Sequence, residues 1–134
     1  MTAEHLDLSP AAILNRAADV IERNGLALKE FYEYAEEQDP RDCKVCAMGA
    51  IAVAAGLKPD GWDDWDDEGS PAEAAAAEAS DLLAAHLGWI PDYESALAIV
   101  GAWNDRVADV AVVAVELRAA AAAQSDTGEA ESRG

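Results

Sequence analysis

Cys43 and Cys46, separated by Lys44 and Val45, are the residues of this chain best suited by type to covalent chemistry. Two cysteines three positions apart near a helix start are able to bridge, and the helix dipole together with Arg41 and Lys44 lowers a thiol pKa. Asp39 and Asp42 oppose thiolate formation, and no strand or βαβ pattern precedes the motif, so the thioredoxin setting is missing. The same cysteines with His5 and His86 supply the residue types of a zinc site, although the histidines are not paired in sequence. Cys46, His86 and Asn104 or Asp105 supply the types of a cysteine nucleophile with its base and orienting group, with no spacing that brings them together. A packing role accounts for the same residues. On a helix, Cys46, Gly49, Ala50 and Val53 form one strip of small side chains that admits another backbone or a large ring. Trp103 is the ring expected there, with Asn104 and Asp105 holding its turn by capping.

A second candidate lies in the run from Asp60 to Gly69. Counting from Asp64, Asp66 and Glu68 occupy the third and fifth positions of a calcium loop and Gly69 the sixth. The match then fails, because Pro71 stands at the eighth position and Ala75 at the twelfth, where a bidentate Glu is required. No metal or other cofactor is therefore expected. Trp62 and Trp65 among Asp63, Asp64, Asp66, Asp67 and Glu68 fit a recognition surface instead, with aromatic contact area and acid that steers a basic partner. Glu30, Glu33 and Glu37 make a second acidic stripe. Without a partner, both read as solvated surface that keeps the chain soluble.

Charge sets the class of partner. With 27 acidic and 9 basic residues, the net charge is −18 on 134 residues. Such a surface repels nucleic acid and anionic membrane and favours basic proteins. The length fits one domain, and a hydrophobic fraction of 51% is enough for a single core. Charge interrupts every apolar run before the ~18 residues of a membrane span. Glu4 and Asp7, with no Lys or Arg before them, do not make a signal peptide, and a cytoplasmic location is expected.

Punctuation along the chain predicts the elements that must position these groups. Ser9 and Pro10 open a first helix over 10–24, closed by Asn24-Gly25. Leu28, Phe31, Tyr32 and Ala35 predict a short helix over 28–37, and Asp39-Pro40 opens a third over 40–55 that stops at Gly56. Residues 57–69 have no period and read as an acidic loop. Ser70, Pro71 and Glu73 form a capping pattern for a fourth helix closed by Gly88, with Leu82, Leu83, His86 and Leu87 facing inward. A fifth helix is predicted over 93–103, then a Trp103-Asn104-Asp105 turn, then a sixth over 106–123. Residues 1–8 read as a flexible start and 124–134 as a disordered tail.

Arg16 to Ile21, Cys46-Ala47-Met48-Gly49-Ala50-Ile51 and Trp103-Asn104-Asp105 together resemble an uncharacterised family of small actinobacterial and actinophage proteins. The resemblance spans most of residues 11–118. It implies a helical domain and carries no activity. The expected protein is thus all-α, a compact bundle of five or six short helices spanning 9–123. Its expected role is a non-enzymatic interaction module for a basic partner. A cysteine-dependent redox or hydrolytic protein using Cys46 is the alternative class, and a mimic of duplex DNA that occupies a DNA-binding protein's basic groove is a narrower version of the first.

Overall fold

The computed structural model describes residues 7–59, 71–88 and 95–133, with side chains described as far as Ala123. Helix α1, Pro10–Asn24, begins where the sequence predicts: the Ser9 hydroxyl accepts the Ala12 N–H and Pro10 occupies the first turn. Ile13, Leu14, Ala17, Ala18, Val20 and Ile21 recur at helical spacing and are buried. Gly25, at φ 101°, ends the helix with its N–H on the Ile21 carbonyl.

Residues 28–37 do not form a helix. Lys29 adopts φ 66°, in the left-handed region, and the segment is drawn instead into pairing with residues 44–46. Ala27 N–H donates to Val45 O at 2.9 Å, Glu33 N–H to Lys44 O at 2.9 Å and Cys46 N–H to Phe31 O at 3.1 Å. These are isolated bridges and not a sheet, but they outweigh a weak local helical pattern. The predicted helix over 40–55 is shortened for the same reason. Only a 3-10 turn forms at Pro40–Asp42, the extended backbone of 43–46 follows, and α2 is Ala47–Ala54. Apart from half-buried Val53, every residue of α2 is buried, as expected for a helix that is apolar all round.

Helix α3, Pro71–His86, buries Ala76, Ala79, Ser80, Leu83 and Ala84, and Gly88 follows at φ 96°. Helix α4, Ala96–Val107, starts later and ends later than predicted, with the Ser95 hydroxyl accepting Ala98 N–H. Trp103, Asn104 and Asp105 consequently lie inside α4 and do not make a turn. The break comes at Ala108, φ 50°, after which Asp109 caps α5, Val110–Arg133, by accepting Val112 N–H at 3.1 Å. Alanine at 119–123 favours the continuing helix, which runs past the end expected at 123.

The result is an all-α fold, with five α-helices among the described residues. Helix α1 makes its largest contact with α5 and also packs on α2 and α3, so it is central to the core. Val113, Ala114, Leu117, Ala120 and Ala121 form the buried stripe of α5. Arg118 fastens α5 to α1 by donating to Asp19 at 2.8 Å and to both Glu22 carboxylate oxygens at 2.7 and 2.9 Å. Arg16 donates to Ala54 O through Nε at 3.0 Å and Nη2 at 2.9 Å, satisfying a carbonyl at the end of α2. Among the described residues no helix is long and apolar enough to cross a membrane.

Candidate functional site

Asn104 is the centre of the region where the distinctive residues meet. It is fully buried in α4, and its orientation follows from its partners. The N–H of Ala47, at the start of α2, needs an acceptor and receives Asn104 Oδ1 at 2.8 Å. The carbonyl of Ala27 needs a donor and receives Asn104 Nδ2 at 3.1 Å. One amide thereby joins α4, α2 and the segment that pairs with 44–46. Nδ2 also lies 3.3 Å from Asp105 Oδ1, which accepts the backbone N–H of Lys29 at 2.8 Å. Asp105 thus holds the one residue of this segment in left-handed backbone.

Cys46 stands at the amino end of α2 as its cap: its sulfur accepts the Gly49 N–H at 3.3 Å. Burial pushes the Cys46 thiol above its ordinary pKa, outweighing the Gly49 and Met48 amides that favour the thiolate, and the nearby Asp105 charge raises it further. A thiol so placed is held protonated near neutrality, opposite to the setting of a nucleophile. Cys43 is also buried and free, and its thiol donates to Asp39 O at 3.5 Å. Gly49 sits beneath the Phe31 backbone, where a β-carbon would collide with the Phe31 carbonyl oxygen. The nearest atoms to Gly49 on that strip are Phe31 backbone and Val45, and Trp103 and Ala50 are both buried in the core.

Above this junction lies a cavity of about 480 Å³, lined by Phe31, Met48, Leu97, Gly101, Cys46 and Asn104, with Lys29, Glu30 and Asp105 as its charged groups. The structure therefore brings together Cys46, Gly49, Asn104 and Asp105 and leaves His86 out. His86 does not face inward; it is exposed on α3, with Nε2 2.8 Å from Glu116 Oε1 of α5. The arrangement of Cys46 with His86 and Asn104 as a catalytic set is not formed. Among the described residues no three His, Cys, Asp or Glu side chains could hold a metal ion. His5 and the acidic run with Trp62, Asp63, Asp64, Trp65, Asp66, Asp67 and Glu68, calcium pattern included, lie outside the described residues.

Glu30, Glu33 and Glu37 are exposed, and Glu36 joins them. Tyr34 stands among them with 70% of its surface exposed. Neither Tyr34 nor Lys29 stood out in sequence. Asn104 stood out in sequence only as a capping residue of a turn, and the structure places it inside α4 instead.

No curated protein and no solved structure matches the chain. The model of a family of unknown function, DUF6197, matches residues 5–123, and the chain belongs to that family.

Proposed function

We propose that this chain is a non-enzymatic interaction module that binds a basic protein partner. The observation that carries the reading is Tyr34, 70% exposed between Glu33 and the pair Glu36 and Glu37, on a segment held to the core mainly by backbone bonds to 44–46. An exposed tyrosine supplies a rigid contact, and the surrounding carboxylates steer a basic surface towards it. The net charge of −18 extends that field over the whole molecule. The acidic run with Trp62 and Trp65 is proposed to bind the same basic partner. Cys46 supports a non-enzymatic role because its sulfur is committed to capping α2.

Cross-linking in lysate of the native host, followed by affinity capture with the wild-type chain, tests the reading against two variants. Tyr34→Ala and the combined Glu33→Gln, Glu36→Gln, Glu37→Gln change should each deplete the same basic protein from the captured set while leaving the melting temperature unchanged. Capture that is indifferent to both variants and to salt overturns it. If function is instead lost in a folded Cys46→Ala protein, the cysteine-dependent alternative replaces it. A captured protein that binds DNA in competition with the chain identifies the duplex-mimic version.

A further inference from the structure

The cavity beside the Asn104 network takes no part in the reading above. Its walls are apolar over most of their extent: Phe31, Met48 and Leu97, the last 44% exposed, with Gly101, where an added β-carbon would meet no atom within 4 Å. A volume of about 480 Å³ falls in the range of small-molecule sites, about 300–1,000 Å³, and exceeds what one side chain of a partner would fill. The charged groups decide what it takes.

The amino end of α2 would ordinarily draw an anion. Here the Ala47 N–H is occupied by Asn104 Oδ1 and the Gly49 N–H by Cys46 Sγ, so that attraction is consumed within the fold. The carboxylates remain. Asp105 accepts the Lys29 and Asn104 N–H groups through Oδ1 alone of its two carboxylate oxygens, on bonds of 2.8 and 3.3 Å. Glu30 is exposed and adds a second carboxylate, while the exposed Lys29 ammonium is the one opposing charge in the lining. The cavity is net negative in a chain of net charge −18.

We propose that this cavity binds a small organic cation, an ammonium group on an apolar body, with the ammonium on Asp105 and the body against Phe31, Met48 and Leu97. Tyr34, Glu33, Glu36 and Glu37 do not line this site. A charge-assisted hydrogen bond in a partly desolvated site discriminates against neutral and anionic analogues of the same shape.

Calorimetric titration of the full chain with phenethylamine, tryptamine and cyclohexylamine, each against its alcohol and carboxylate analogue, tests the proposal. At least one amine should saturate and bind about tenfold or more tighter than both of its analogues, the difference expected of one charge-assisted bond. Asp105→Asn keeps an acceptor for the Lys29 N–H, and should remove that preference. Gly101→Leu fills the cavity from a position with free space, and should abolish binding in a protein that melts like the parent or higher. The proposal is overturned if no amine saturates, if amine, alcohol and carboxylate bind alike, or if folded Gly101→Leu binds unchanged. Binding of a lysine-containing peptide where none of the free amines binds also overturns it, in favour of a partner's side chain.

Discussion

Asn104 Oδ1 accepts the N–H of Ala47 at 2.8 Å, joining residues 57 positions apart. The bond satisfies a donor at the first turn of α2 that has no partner within its own helix. Through Nδ2 the same side chain satisfies the Ala27 carbonyl, so α4 supplies both a donor and an acceptor to a buried junction. A buried amide with every group occupied ties three segments in one arrangement and excludes slippage of α2 along α4.

Replacing that amide exposes its value. Asn104→Ala leaves the Ala47 N–H and the Ala27 carbonyl buried without partners, at about 1–3 kcal/mol each. We expect a loss of about 3 kcal/mol or more in urea unfolding. A variant that unfolds within 1 M of the parent midpoint, on a slope of ~1–3 kcal/mol per M, would contradict the account.

Two glycines should respond in opposite directions. Gly49→Ala drives a β-carbon into the Phe31 carbonyl, backbone that cannot turn aside, and should cost about 1–3 kcal/mol. Gly101→Ala meets nothing, lies within α4, and should raise stability by roughly 0.5–1 kcal/mol through helix propensity. Parallel thermal melts of the two proteins check both signs at once.

The Arg118 clamp predicts a pH dependence. Hydrogen bonding from Arg118 holds the Glu22 carboxyl below its usual pKa. A group depressed in the folded state contributes stability above its unfolded value, and that contribution is lost as pH falls through the folded value. In Arg118→Met the Glu22 pKa should rise to the ordinary carboxylate range by NMR titration. The stability difference between parent and variant should shrink under acid and in high salt, because the pair is exposed.

Cys46 predicts the opposite limb. Its thiol pKa is raised by burial in the folded chain, so stability is present below the unfolded thiol value and declines as pH rises above it. Alkylation by iodoacetamide should be slower than for an unfolded cysteine and should keep accelerating at pH values where a free thiol has levelled off. Cys46→Ser, which retains an acceptor for the Gly49 N–H, should remove the alkaline decline while keeping the fold.

The helical class and the start of α1 at Ser9-Pro10 with its end at Gly25 were legible in the sequence, because each depends on neighbours within four positions along the chain. Proline, capping hydroxyls and periodic apolar residues act locally, and no distant segment competes with them there. The segment from 28 to 46 was not legible, because its backbone bonds go to partners far along the chain. Ala27 pairs with Val45, Glu33 with Lys44 and Cys46 with Phe31, and these bonds displace the weak helical pattern of Phe31, Tyr32 and Ala35. Trp103-Asn104-Asp105 has the composition of a turn, and only the demands of Ala47 and Ala27 hold Asn104 inside a helix. The sequence by itself thus determined the helical class, the bounds of α1 and how acidic the chain is, since these follow from composition and local spacing. Where Cys46, Gly49, Asn104 and Asp105 meet, and that a cavity opens beside them, was decided by the tertiary structure, since buried polar groups choose partners by proximity in space.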